Sequence, residues 1–423
     1  MVTTTAAPGI SWQRNLYALT LATFLMFMAF GFVFPFLPLF IAELNVGDLH
    51  QVEVWSGITT FAQALVLSIF SPIWGAVADR RGRRLMVLRC AFGGAVILGL
   101  VGLSQNIWEF LGLRLIQGAL TGVIASATAL ASSFVPRERI GYALGMIQMS
   151  LFAGNAVGPL MGGFVADRVG YRWSFAVAAV LFGMAGVVTM LLVREDFQRP
   201  PEGEGRPGLR GIVRDIRTRG RDHHLLVMML VLFSAQFGVN VVLPMLPLFV
   251  QSIDPGQSPA AVTGVVFTVA GIVASASAVV WGRIGDRLGF RRLLIGMALG
   301  GGLCYIPQAF VANIGQLIAL RGVLGIFDGG LLPAANALIA SRTPDGSDGK
   351  PASHGGGHGT TYGLVYLANG LGFALGPLSG GVLAATLGLR SVFIVTAAIL
   401  LAVGLYLPFG VPAPQPRVAT SDG

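Results

Sequence analysis

The chain has 423 residues, 54% of them hydrophobic and only 11% charged, whereas about a quarter of residues are charged in soluble domains of ordinary composition. Its formal charge of +9 does not indicate nucleic acid, because the basic residues sit in short loops beside apolar runs and form no stripe; they read as topology signals and contacts for anionic lipid headgroups. Cys90 and Cys304 both fall inside apolar runs, which leaves neither a disulfide framework nor a Cys-rich metal site.

In chain order, residues 1–14 are short and polar, and the apolar run that follows is too long for a signal-peptide core, so an uncleaved first span is expected. Apolar windows of about 20 residues then predict twelve transmembrane helices, at 16–41, 54–78, 85–105, 107–134, 140–166, 172–193, 225–251, 260–284, 292–312, 314–341, 359–386 and 390–411. The fold class is therefore an all-α membrane protein. It divides into a six-helix half (1–193), a linker rich in Arg, Gly and Pro (194–224), a second six-helix half (225–411) and a tail (412–423). Within the linker, residues 210–221 read either as a basic helix lying on the membrane or as a solvated charged loop. Residues 343–359, with His354 and His358 in a Gly/Ser/Pro run without carboxylate company, read as a flexible loop rather than a metal site.

Of the 28 basic residues, 23 fall in the loops and flanks of one side, three on the other (Arg168, Arg172, Arg390), and two inside helices (Arg114, Arg321). The positive side faces the cytoplasm, which predicts that both termini are cytoplasmic.

The chain repeats itself. Trp74-Gly75-Ala76-Val77-Ala78-Asp79-Arg80-Arg81-Gly82-Arg83-Arg84 returns 207 positions later as Trp281-Gly282-Arg283-Ile284-Gly285-Asp286-Arg287-Leu288-Gly289-Phe290-Arg291. Pro35-Phe36-Leu37-Pro38-Leu39-Phe40 returns as Pro244-Met245-Leu246-Pro247-Leu248-Phe249, and Arg114 with Gly118 as Arg321 with Gly325. Gly158-Pro159-Leu160-Met161-Gly162-Gly163 returns 218 positions on as Gly376-Pro377-Leu378-Ser379-Gly380-Gly381. Two pseudo-symmetric six-helix halves place a binding site near the bilayer midplane at their interface.

These strings resemble the major facilitator superfamily over nearly the whole chain. The basic turns are similar to its loop 2–3 signature, Leu113 to Gly118 to the fourth-helix arginine motif of proton-coupled members, and Gly154 to Gly163 to the fifth-helix motif of antiporters. The combination resembles the twelve-helix drug:proton antiporters, and the strings Ile10 to Leu16, Pro35 to Phe40, Ser104 to Trp108 and Asp328 to Pro333 resemble their MdtG-type multidrug efflux branch. The resemblance implies export of drugs against protons across a bacterial cytoplasmic membrane by a self-sufficient monomer.

Read physically, the turns carry Gly75, Asp79, Arg80, Gly82, Arg84, Asp286 and Arg287. An Asp at such a helix end attracts the positive N-terminus of a helix in the other half. That makes Asp79 a latch on the eleventh helix near Thr360 and Thr361, and Asp286 a latch on the fifth near Ile140 and Gly141; pairing of each Asp with its own arginines is the alternative. Gly154, Gly158 and Gly162 lie four apart on one face beside Pro159 and Gly163, which suits close packing or a bend. Ionisable residues deep in spans are functional candidates: Arg114, Arg321 and Asp328 for proton coupling, with Glu109 near a helix end. Asp328 corresponds to Thr121, so one half alone carries the deep carboxylate, as a single proton site would leave it; a structural buried acid is the alternative.

Neutral polar residues share helix faces: Gln117 on the fourth span, Gln148 and Asn155 on the fifth, Gln236 and Asn240 on the seventh, Tyr362, Tyr366 and Asn369 on the eleventh. With Phe34 they predict a wet, amphipathic cavity for hydrophobic or amphipathic compounds. No nucleotide-hydrolysis motif, metal cluster or catalytic constellation is present, so the chain is not read as an enzyme, no cofactor is expected and an ion gradient must supply the energy. The expected partners are small-molecule substrates, protons and the lipid bilayer. Uptake of a metabolite or sugar, and a non-transporting receptor or lipid-handling protein on the same scaffold, are the competing readings.

Overall fold

The structure is a computed structural model, described for residues 11–136, 139–195, 223–342 and 358–410. Among these residues the chain is helical, with no strand. The first span runs from Trp12–Val33 through a 3-10 turn, Phe34–Phe36, into Leu37–Glu43. Pro35 and Pro38 sit where that turn joins its flanking helices, since proline has no N–H to give a continuous ladder. The seventh span repeats this as His223–Val242, Leu243–Met245 and Leu246–Ile253. The second, third, fifth and sixth spans are Leu49–Arg81, Arg83–Leu103, Ile140–Val169 and Tyr171–Leu192. The eighth to twelfth are Pro259–Leu288, Phe290–Gln308, Ile314–Arg342, His358–Leu387 and Ser391–Gly410.

Eleven of the twelve predicted spans are long and apolar enough, taken alone, to cross a membrane. The exception is the ninth, Phe290–Gln308, which begins with Arg291 and Arg292 and contains three consecutive glycines. The fourth span departs from the expected continuous helix at 107–134. It consists of Ile107–Leu120 and Val123–Phe134, interrupted at Thr121 and Gly122. Gly122 has φ +147°, which a residue with a Cβ rarely adopts, so the helix must break there. The matching tenth span passes through Asp328 and Gly329 unbroken.

The duplication extends to individual hydrogen bonds. Arg84 Nη2 donates to the Met190 carbonyl oxygen at 2.6 Å and Arg291 Nη2 to that of Pro408 at 2.7 Å. The fifth-span glycines face the first span: a Cβ on Gly154 would meet Phe24, Phe27 and Met28, and one on Gly158 would lie 2.5 Å from the Met28 oxygen. Gly372 and Gly376 meet Phe233, Gln236, Phe237 and Asn240 of the seventh span in the same way. Both faces are glycine because the two backbones touch.

The halves meet along two seams. In one, Gly163 packs on Ala260, Gly264 on Pro159, and Thr268 Oγ1 donates to the Ala156 oxygen at 2.7 Å. In the other, Gly381 packs on Glu53 and Gly57 on Pro377. These approaches, with the contacts between the proline turns of the first and seventh spans, gather at the end of the bundle remote from the arginine-rich turns at Gly82 and Gly289. They continue to about mid-helix, where Gly271 faces Ala156 and Gly370 faces Ser68.

Candidate functional site

The polar residues near the middle of the bundle fall into three groups. In the first half, Arg114 is 3% exposed and its Nη1 donates to Gln117 Oε1 at 2.7 Å; Gln117 is itself 1% exposed. One turn along the same helix brings them together. The remaining guanidinium atoms, Nε and Nη2, are buried without a hydrogen-bond partner among the described residues, a costly arrangement inside an apolar core.

In the second half, Arg321 is also buried, its guanidinium carbon 5.8 Å from the ring centroids of both Tyr305 and Phe393. Asp328, partly buried, shares an electrostatic neighbourhood with Arg321, Tyr305 and Cys304. The deep acid, arginine and tyrosine thus come from the ninth and tenth spans, with Phe393 of the twelfth closing over the arginine. Glu109, by contrast, is exposed and accepts from the Gln105 amide at 2.9 Å and Asn106 Nδ2 at 2.7 Å, a helix-capping arrangement.

The third group is spread over the first, fifth, seventh and eleventh spans. Gln148 and Asn155 are exposed on the fifth span. Gln236 and Asn369 are partly buried, and Phe34 packs partly against the core. Asn240 is 5% exposed and its Nδ2 donates to the Gln236 carbonyl oxygen at 2.7 Å, within its own helix. Tyr362 and Tyr366 lie outside the described residues as side chains.

At the arginine end, Gly82 separates the second and third spans with φ +98°, and Gly289 separates the eighth and ninth with φ +86°. Gly75 is partly buried in the second span, Arg80 and Arg287 are exposed, and Arg84 is tied to Met190. The side chains of Asp79, Asp286, Thr360 and Thr361 lie outside the described residues, as do Gly141's surroundings and the linker and loop segments at 196–222 and 343–357.

Several residues were not singled out by their sequence. Glu195 accepts from the Arg83 and Arg84 amides at 2.9 and 2.7 Å, capping the third span from just beyond the sixth. Arg89, counted with the loop arginines, stacks on Trp74 with its guanidinium carbon 3.7 Å from the ring. Glu53 is 4% exposed at the seam with the eleventh span, and Asp167 reaches the start of the eighth. Glu53 and Asp167 at the margins of apolar windows and Arg89 inside one carried a signal in sequence; their partners, and the role of Glu195, depend on which helices become neighbours.

The family model of the Major Facilitator Superfamily matches residues 19–261 and 228–423. The chain is 36% identical over 398 residues to the multidrug resistance protein MdtG of Serratia proteamaculans (strain 568), covering 94% of this chain and 93% of that protein. It is 36% identical over 400 residues to MdtG of Escherichia coli O81 (strain ED1a), covering 94% and 95%. Among solved structures, a bacterial homologue of the human lysosomal transporter Spinster aligns with a TM-score of 0.76 at 16% identity, covering 96% of this chain and 98% of that one. A mutant form of the nucleoside transporter NupG aligns at 0.72 and 11% identity, covering 94% and 100%. With two matched arrays of six spans, the repeated basic turns and these likenesses, the chain belongs to the Major Facilitator Superfamily, a multi-pass membrane transporter and not an enzyme.

Proposed function

We propose that the chain exports hydrophobic or amphipathic drugs from the cytoplasm in exchange for protons. The reading is supported chiefly by the likeness to proteins named for multidrug resistance, 36% identical over 94% of the chain. The exposed amides Gln148 and Asn155, set among apolar helices, suit an amphipathic cargo. The arginine end faces the cytoplasm of a bacterial cell, with both termini inside, and the halves 1–193 and 225–411 rock about the site between them as a monomer. The gathering of the described seams at the far end supports a cavity that opens toward the arginine end, the state that loads cargo from the cytoplasm.

Asp328 is the proton-carrying group in this reading, with Arg321 and Arg114 as the cations that tune it. Asp79 and Asp286 hold the cytoplasmic end shut in the opposite state, supported by Gly75, Arg80, Gly82, Arg84 and Arg287. Pro159 and Gly163 form the packing seam with the eighth span on which that motion turns, while Gly154, Gly158 and Gly162 hold the fifth span against the first. Inside-out vesicles test the proposal: adding substrate should release protons from an acidified lumen and accumulate substrate there. Retained ligand binding without flux would indicate a receptor instead. Cysteines at Gln105 and Gly256, both exposed, should react with an impermeant reagent from outside intact cells, and one at Ser347 only after permeabilisation; the reverse pattern would overturn the orientation.

A further inference from the structure

The eighth span starts at Pro259, and the amide of Ala261 in its first turn has two acceptors. Its own N-cap, Ser258 Oγ, is 3.5 Å away, at the limit of a hydrogen bond, while Asp167 Oδ2 is 3.1 Å away. Asp167 belongs to the last turn of the fifth span, in the other half of the molecule. A carboxylate thus sits at the positive end of a 30-residue helix to which its own half has no covalent tie other than the linker.

The seam beneath holds the two in place. One turn before Asp167, a Cβ on Gly163 would lie 2.5 Å from the Ala260 oxygen, and further along Thr268 is bonded to Ala156. Of the hydrogen bonds between described residues of the two halves, Asp167 to Ala261 is the one that carries a charge. The second seam has the same glycine packing without it. Pseudo-symmetry takes Asp167 to Ala385 and Ala261 to Val54, and the second span is capped from within by Asp48, whose Oδ1 accepts from the Gln51 amide at 3.0 Å. Arg172, the nearby cation of the sixth span, is occupied by the carbonyl oxygens of Gly102 and Ser104, both at 2.9 Å.

We propose that Asp167 is a positioning residue of the transport cycle, a latch that holds the far ends of the halves together through the start of the eighth span and lets go when that end opens. The proposal rests on the reading of the chain as a transporter that alternates between two openings. Ser258 makes release feasible, because it remains as a local cap once Asp167 withdraws. The latches expected of Asp79 and Asp286 would act on helix starts at the arginine end, so the two ends would carry the same device in opposition.

The test reads the other seam, where a local disturbance at Asp167 would not be felt. Nitroxide labels on cysteines at Leu49 and Leu387, exposed at the far ends of the second and eleventh spans, report the separation of the halves in the full chain reconstituted in lipid, with Cys90 and Cys304 replaced by serine. Asp167→Ala should raise the ratio of long to short distances by about two- to tenfold. Asp167→Asn, which keeps an acceptor and loses the charge, should fall between, and Asp167→Glu should restore the wild-type ratio. Unchanged distances in folded Asp167→Ala protein would overturn the latch, as would an equal shift from Ser258→Ala, which would reduce the contact to ordinary capping. The distances are measured without any cargo, so the result stands apart from whether the chain exports drugs.

Discussion

The indole Nε1 of Trp74 donates to the carbonyl oxygen of Ala119 at 2.6 Å, fastening the second span to the fourth one position before its first helix ends. Its repeat, Trp281 to Ile326, has the same length of 2.6 Å, but the tenth span continues unbroken past it. The halves therefore share their fastening and differ in what it holds. In the first it secures the end of an interrupted helix, and Arg89 covers the indole; in the second, Gly296 stands where that arginine would be.

Trp74→Phe removes the hydrogen bond and weakens the cation–π contact, at a cost of about 1–3 kcal/mol. Trp281→Phe removes only the bond, at about 1 kcal/mol. Thermal unfolding of the purified protein in detergent should accordingly show the larger loss for Trp74→Phe. Equal losses would mean that Arg89 contributes nothing through the ring.

Glycines of one span should differ sharply in tolerance. On Gly158 a Cβ would meet the Met28 oxygen at 2.5 Å and the Gly31 backbone at 2.8 Å, neither of which can swing aside, whereas on Gly145 it would meet nothing within 4 Å. Gly158→Ala should destabilise by about 1–3 kcal/mol through overpacking. Gly145→Ala should be neutral or gain up to about 1 kcal/mol from helix propensity. Folded yield and melting temperature decide it, and matching behaviour of the two variants would contradict the close packing of the first and fifth spans.

Asp79→Asn should insert normally and lose most export, since it removes the charge of a latch but little packing. Asp286→Asn should lose less, because the first-half turn is the stronger form of the family signature. Drug resistance conferred on a hypersensitive host, with membrane levels matched by immunoblot, measures both. Wild-type resistance from Asp79→Asn would exclude the latch.

Asp328→Asn keeps the shape and removes the exchangeable proton. It should fold and retain substrate binding while losing substrate accumulation driven by a pH gradient in inside-out vesicles. Undiminished accumulation would place the proton site elsewhere, with Glu53 a candidate because it is the one fully buried acid among the described residues.

Sequence alone determined the membrane environment, the duplication and the positions of the turns, because each follows from local chemistry. An apolar run of sufficient length must be helical in lipid, a basic turn with a glycine between two such runs separates them, and a repeated motif shows itself by spacing. It also singled out Arg114, Arg321 and Asp328, since a charge in an apolar window is conspicuous without any partner. The partners came only from tertiary structure. Tyr305 beneath Arg321, Trp74 on Ala119, Glu195 on the third span and Asp167 on the eighth are contacts between helices whose rotation about their axes is set by the packing of all twelve. The broken fourth span belongs to the same class: Gly122 has its counterpart in Gly329, so glycine permits the break and the surrounding packing decides which of the two helices takes it.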